Sequence, residues 1–152
     1  MYNKTIKLIK WLSTKIFLHE KFENEPNKFR KYFTPRGSIY TCHFGENIGD
    51  EKCGIGRPVL IVSSDSINRN SGNVIVVTLT KNIKYVDGTK KLKYSSHYAL
   101  FKSRYKKLKF NSCVQCEDIK VISKARLGTL ICKVEKNDMK QIKKRLKFIL
   151  EI

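Results

Sequence analysis

The chain has 152 residues and a mass of 17.7 kDa, the size of one domain. Hydrophobic residues make up 41% of it, a composition that excludes a disordered chain. Its 32 Lys and Arg against 13 Asp and Glu give a net charge of +19. That charge favours a polyanionic partner such as nucleic acid, an anionic membrane surface or an acidic protein, although a Lys-rich solvated surface explains the charge alone equally well.

An amphipathic helix is predicted over residues 4–22, with Ile6, Ile9, Leu12 and Ile16 on one side and lysines around them. Two roles remain open for it. The helix either docks on the rest of the chain or on a partner, or it contacts RNA or a membrane surface as a basic helix.

The N-terminal region predicts neither a signal peptide nor a membrane span, because Lys7, Lys10 and Lys15 interrupt its apolar stretch. Five cysteines, an odd number, then predict reduced thiols in a cytoplasm. Cys113 and Cys116 have the spacing of a metal or redox motif. They fall in a predicted strand, where positions three apart face opposite sides, so no metal site is predicted.

A polar linker is predicted over residues 23–31 because Pro26 and Pro35 mark an interruption between two regular segments. The chain therefore divides into an N-terminal helical extension and linker, residues 1–35, and a second region, residues 36–152.

Short β-branched and aromatic runs separated by turns follow, and they predict strands. The predicted strands are 37–44, 59–63, 74–80, 97–102, 112–117, 119–122 and 129–134. A final helix is predicted with Asn137 or Asp138 as its N-cap. The predicted fold is mainly β (α+β): a small β-barrel with an N-terminal helical extension and a C-terminal helix.

Six sequence segments carry a family resemblance. They are RGSIY at 36–40, GDEK at 49–52, RPVLIV at 57–62, VIVVTLT at 74–80, SCVQCEDIKVI at 112–122 and KARLG at 124–128. In this order, they resemble the MazF/PemK family of toxin-antitoxin endoribonucleases over residues 36–152. Two departures stand out: the loop between Glu51 and Arg57 is one residue longer, and Asp118 replaces the usual Gln.

The resemblance implies an SH3-like β-barrel that acts as a homodimer in the cytoplasm. It implies a sequence-specific endoribonuclease toxin of a type II toxin-antitoxin system, which cleaves single-stranded RNA without a metal or cofactor and thereby arrests translation and growth. The partners implied are RNA and a cognate antitoxin with an acidic segment, and no integral membrane association is expected.

Metal-free RNA cleavage uses the 2′-hydroxyl of the substrate as nucleophile. It needs a proton acceptor, a proton donor and positive charge at the phosphate. The three histidines (His19, His43 and His97) show no spacing that joins two of them. Arg57, between a Gly-rich loop and an apolar strand, suits phosphate binding, although it could instead be an arginine at a strand entry that pairs with an acid. The resemblance implies that it is catalytic.

Thr78 and Thr80 share one face of a strand, so the residues alone do not choose between them, and the resemblance selects Thr80 as catalytic. Glu51 either acts as a base, orients the substrate, or is a solvated loop carboxylate. The resemblance implies that Ser112, Glu117 and Asp118 line the RNA groove, and Lys81 is expected to contact phosphates. Tyr85, Tyr94 and Tyr98 lie among the lysines of the basic segment 81–109 and either stack on bases or pack in strands.

Two other classes of function remain open. One is a non-catalytic toxin or regulator of the same fold, which would bind a protein such as gyrase or a nucleic acid. The other is a basic protein that binds a membrane surface through residues 1–35.

Overall fold

Six strands and four α-helices make up the described part of the chain. The computed structural model describes the backbone of residues 2–152 and the side chains of residues 3–152. In chain order the elements are α1 (Tyr2–Asn24), α2 (Pro26–Lys31), β1 (Ser38–Cys42), β2 (Arg57–Ile61), α3 (Asp65–Asn70), β3 (Asn73–Thr80), β4 (His97–Leu100), β5 (Ser112–Ser123), a 3-10 turn (Lys124–Arg126), β6 (Leu127–Lys133) and α4 (Lys136–Leu150).

The strands form one antiparallel sheet in the order β4-β5-β3-β2-β1-β6. The predicted α+β class is confirmed, although the helices contain more residues than the strands, so the chain is not mainly β. The predicted small β-barrel is an open sheet, not a closed barrel, within residues 2–152, because β4 pairs with β5 alone and β6 with β1 alone. β4 has four residues, and α4 packs against it and β5.

Alternate residues of the central strands pack on opposite sides of the sheet, as strand geometry requires. Ile39, Leu60 and Val77 belong to the cluster that includes Ile142 of α4. Their neighbours in sequence, such as Val59, belong to the cluster on the other side. Ile142 is fully buried, and such burial contributes about 1.5–3 kcal/mol.

β5 is one continuous strand, whereas two strands were predicted. Its register against β3 jumps between Val77↔Ile119 and Thr78↔Gln115, which leaves residues 116–118 in a bulge. The charged residues Glu117 and Asp118 interrupt an apolar run, and this pattern predicts that one strand ends and another begins there. In the structure a bulge accommodates both residues within the single strand β5.

α1 is confirmed as a helix, and the side with Ile9, Leu12 and Ile16 faces away from the rest of the described chain. Ile9, Leu12 and Ile16 are 67%, 57% and 48% exposed, whereas Trp11 and Leu18 are buried. The helix docks through Trp11, whose ring lies against Gly45 and 5.9 Å from the Arg126 guanidinium. No helix within residues 2–152 is long and apolar enough to cross a membrane.

The predicted linker over residues 23–31 contains a helix, α2. Pro26 begins this helix, a position where a missing N–H costs nothing. Phe29 is buried and stacks on Phe22 of α1, with ring centroids 5.7 Å apart. The proline therefore starts an ordered element here.

Lys124 is a buried cation at the 3-10 turn. Its ammonium donates to the carbonyl of Asn68 at 2.6 Å and to that of Arg30 at 3.2 Å. Burial lowers the pKa of this amine. One side chain thus joins α2, α3 and the turn before β6.

The predicted N-cap of the last helix is also wrong. Glu135 occupies the cap position of α4, and Asp138 lies buried inside the first turn. The carboxylate of Asp138 accepts hydrogen bonds from the hydroxyls of Tyr98 and Tyr105, and it pairs with Arg104 at 3.2 Å. It therefore fastens α4 to β4 and to the segment that follows it.

Candidate functional site

Arg57 and Thr80 line the same cavity, which has a volume of about 520 Å³. They stand at the ends of β2 and β3, where the register Val59↔Thr78, continued by two residues, sets Arg57 opposite Thr80. Both side chains are half-buried. The structure thus brings together the two residues predicted as catalytic. We call this cavity the Arg57 pocket.

The guanidinium of Arg57 is held by the loop that precedes it. Its Nε donates to the carbonyl of Cys53 at 3.0 Å. Neither of its Nη groups has a hydrogen bond or an ion pair with another residue of the described chain, so both remain available to a ligand. Arg57 forms no ion pair with an acid among the described residues, so the alternative role of an acid-paired arginine at a strand entry is wrong.

The structure also separates Thr80 from Thr78. Thr80 Oγ1 accepts from the backbone N–H of Asn82 at 3.2 Å, which leaves its own hydrogen to be donated. Thr78 is fully buried and donates to Asp118 at 3.0 Å. Only Thr80 of the pair lines the Arg57 pocket.

Lys81 and Ser112, both predicted to bind substrate, line the same pocket. Phe110, which sequence reasoning did not single out, lines the pocket as well. Its ring is 54% exposed and 5.4 Å from Lys81 Nζ, and its carbonyl accepts from Ser112 Oγ at 3.0 Å. The sequence signal that could have identified Phe110 is its position directly after Lys109, the last residue of the basic segment.

Glu51, Glu117 and Asp118, the remaining predicted residues, do not line the Arg57 pocket. Glu51 is exposed on the loop between β1 and β2. Asp118 pairs with Lys52 of the same loop at 3.3 Å. The bulge of β5 therefore ties this loop to the sheet.

Glu117 accepts a hydrogen bond from His97, with 2.7 Å between Nε2 and Oε1. Partial burial acts to raise the pKa of Glu117, but hydrogen bonds from its own backbone, His97 and Ser96 outweigh it and lower the pKa. His97 itself is buried against Tyr94, with ring centroids 4.9 Å apart. The carboxylate thus stays ionised while it holds the imidazole.

An apolar groove of about 490 Å³ adjoins the Arg57 pocket and shares Gly56, Pro58, Phe110 and Ser112 with it. Its far wall includes Leu130 of β6, which is 53% exposed. The surface near Arg57 is therefore partly apolar and continuous across two concavities.

The twelve residues that line the Arg57 pocket include two cations, Arg57 and Lys81, and no acid. Free N–H groups, an ammonium and a hydroxyl donor around a partly enclosed space suit an oxyanion, in particular a phosphodiester. The ring of Tyr98 is covered by the Arg145 guanidinium at 4.8 Å and its hydroxyl donates to Asp138, whereas Tyr85 and Tyr94 are exposed. Within residues 2–152, no three His, Cys, Asp or Glu lie close enough to hold a metal ion.

Solved structures share this architecture. A mycobacterial endoribonuclease in complex with its cognate antitoxin is 25% identical, with a TM-score of 0.60, over 78% of this chain and 96% of its own. MazF from Deinococcus radiodurans has a TM-score of 0.64 at 17% identity, over 80% of this chain and 99% of its own. At 17% identity, the similarity to the Deinococcus structure shows a shared fold and nothing more.

Curated sequences agree. Endoribonuclease MazF of Staphylococcus saprophyticus is 33% identical over 107 residues, 70% of this chain and 82% of the relative. Endoribonuclease MazF of Staphylococcus epidermidis is 35% identical over 92 residues, 60% of this chain and 70% of the relative. The model of the PemK-like, MazF-like toxins matches residues 35–150. The family prediction is confirmed: this chain belongs to the PemK-like, MazF-like toxins of type II toxin-antitoxin systems, and its relatives bear the predicted name of endoribonuclease.

Proposed function

We propose that this toxin is a sequence-specific endoribonuclease that cleaves single-stranded RNA without a metal and arrests translation. One observation carries the proposal: Arg57, whose Nη groups have no partner among the described residues, lines the same acid-free pocket as Thr80. In this proposal residues 36–152 form the toxin domain and residues 1–35 an extension.

The reaction is an attack of the RNA 2′-oxygen on the adjacent phosphorus. A new P–O bond forms, the bond to the 5′-oxygen breaks, and the products carry a 2′,3′-cyclic phosphate and a 5′-hydroxyl. Arg57 and Thr80 stabilise the charge on the phosphate oxygens, and Lys81 adds to the local potential. Glu51 is the proposed acceptor of the 2′-hydroxyl proton, which requires the loop between β1 and β2 to bring this carboxylate to the pocket. The leaving oxygen takes up a proton from Arg57 or from solvent.

Substrate recognition is assigned to Ser112, Glu117 and Asp118, with single strands as substrates because their base edges are accessible. The carboxylate of Asp118 is paired with Lys52 in the free protein. A base that bonds to the same oxygen, Oδ2, would displace Lys52, which would couple recognition to the position of the loop.

The proposed partners follow from the family and from the surface. Solved relatives are complexes of toxin with antitoxin, and a chain of net charge +19 is complementary to an acidic antitoxin segment. We further propose a cytoplasmic homodimer in which the apolar groove with Leu130 and Phe110 faces a second copy. Sedimentation of wild type and Leu130→Lys tests it, since the charged variant should be monomeric.

Cleavage of a long single-stranded RNA in EDTA tests the activity. Wild type should give discrete fragments whose new 5′-hydroxyl ends accept phosphate from a polynucleotide kinase, and Arg57→Ala should lower the rate about 10²- to 10³-fold. No cutting of any RNA by the wild type would refute the proposal.

A binding toxin of the same fold would give a different result. Growth arrest would then persist in the double variant Arg57→Ala, Thr80→Ala, because the contact surface would remain. We expect that expression of the double variant does not arrest growth.

A further inference from the structure

A second groove, of about 390 Å³, runs between α1 and the loop that follows β1. We call it the α1 groove. Its lining residues are Lys7, Lys10, Trp11, Thr14, Gly45, Glu46, Gly54 and Ile55. One wall is contributed by a helix outside residues 35–150, the part of the chain that the family model matches.

The α1 groove is contiguous with the Arg57 pocket. Gly54 and Ile55 line both concavities, so the two adjoin at these residues. Ile55 is 68% exposed between them. A polynucleotide seated at Arg57 and continuing across Ile55 therefore enters the α1 groove.

The charges of the groove favour a phosphate. Lys7 and Lys10 are exposed, and neither pairs with a carboxylate of any described residue. Glu46 is the single acid among the lining residues, so the groove carries two positive charges against one negative charge. Ammonium groups on flexible stems suit sequence-independent phosphate contacts.

The wall that carries the lysines is fixed in position. Trp11, next to Lys10, is buried against Gly45. Gly45 in turn pairs with Gly54, with N–H···O distances of 3.1 and 2.7 Å. The lysine side chains therefore project from a helix held against the turn that borders the Arg57 pocket.

We propose that the α1 groove is a second RNA-binding site, in which Lys7 and Lys10 bind the phosphates of single-stranded RNA flanking the cleaved bond. This proposal rests on the proposed function for the identity of the ligand. The N-terminal extension then lengthens the stretch of RNA that the toxin holds, and it does so independently of base sequence.

Binding of uncleavable RNA tests the site. The probes are fluorescent 2′-O-methyl pyrimidine oligonucleotides of 6 and 16 nucleotides, which lack the nucleophile and so bind without reaction. The variant is the pair Lys7→Gln, Lys10→Gln, and the control is Lys143→Gln, Lys144→Gln on the exposed face of α4, which removes the same charge elsewhere. Anisotropy gives the dissociation constant at several salt concentrations.

We expect the Lys7, Lys10 variant to bind the 16-nucleotide probe about tenfold more weakly near 0.1 M salt than the control. The slope of log K against log salt should fall by about 1.4, since each phosphate contact on a single strand contributes about 0.7. Affinities and slopes equal to those of the control would overturn the site.

A gain-of-affinity variant guards against misfolding as the explanation. Glu46→Gln removes the one acid of the groove and should bind the longer probe more tightly than wild type, whereas unchanged or weaker binding counts against the site. The two proposals fail separately. A wild type that cuts no RNA refutes the nuclease, and equal binding slopes refute the groove.

Discussion

The indole ring of Trp11 lies so close to Gly45 that a Cβ atom at residue 45 would come within 1.9 Å of the indole Cε2. Gly45 also has a φ of 71°, a region that glycine adopts readily. Because Gly45 pairs with Gly54, and the carbonyl of Cys53 holds Arg57, this contact connects α1 to the Arg57 pocket.

Replacing Trp11 should therefore impair catalysis as well as stability. Trp11→Ala should cost about 3–5 kcal/mol of unfolding free energy, and kcat should fall about tenfold or more as Arg57 loses its fixed position. Trp11→Phe should restore most of kcat. Urea unfolding and single-turnover cleavage measure the two effects. A Trp11→Ala protein that is destabilised but has wild-type kcat would contradict the connection.

The hydroxyl of Thr80 should matter more than its methyl group. Thr80→Val keeps the shape but loses the donor to the phosphate, so kcat should fall about 10- to 100-fold. Thr80→Ser keeps the donor and should stay within about threefold of wild type. Initial rates at saturating RNA decide the matter, and equal rates for Val and Ser would remove Thr80 from the mechanism.

Breaking the pair between Lys52 and Asp118 should loosen the loop between β1 and β2. The N–H groups of Asn47 and Glu51, which bond within this loop, should exchange with solvent about two- to fivefold faster in Asp118→Asn, since such pairs contribute about 0.2–1 kcal/mol. Hydrogen exchange followed by NMR measures it. Glu117→Gln, which contacts His97 instead, is the matched control and should leave both amides unchanged.

Asp138 should make the protein sensitive to acid. Burial acts to raise the pKa of this carboxyl, but hydrogen bonds from Tyr105 and Tyr98 and the charge of Arg104 lower it. The unfolded chain therefore binds the proton first, so the stability that Asp138 contributes is complete above the pKa of the unfolded chain, about 3.9, and is lost as pH falls through the folded value.

The variant Asp138→Asn should lose about 1–3 kcal/mol at pH 7 and show a smaller further loss between pH 5 and pH 3 than wild type. Urea titrations at pH 7, pH 5 and pH 3 measure the free energy of unfolding of both proteins. Glu135→Gln changes the exposed partner of Arg104 and should behave like wild type at low pH. A parallel acid response in Asp138→Asn and wild type would show that another group is responsible.

Sequence reasoning was most successful where a residue pattern has one structural solution. The β-branched runs around Val59 and Val76 could only be buried strands. The order of the six family segments then located Arg57 and Thr80, which the antiparallel register brings to one pocket.

Sequence reasoning was wrong where one residue pattern is compatible with two different structures. Pro26 ends one helix or begins another, and Asp138 caps a helix or lies buried under two tyrosines. The side of α1 that packs on the rest of the chain is set by Trp11 against Gly45 and by Leu18, while Ile9, Leu12 and Ile16 are exposed. Contacts between distant segments decide such cases, and no local pattern encodes them.

The shared buried ammonium of Lys124 has a practical meaning for anyone who trims this protein to its homologous part. Removal of the first 35 residues would delete the Arg30 carbonyl and leave the buried amine with one of its two hydrogen-bond acceptors. A shortened toxin would thus be destabilised at Lys124. Loss of activity in it would therefore indicate impaired folding and would not by itself reveal the role of the deleted helix.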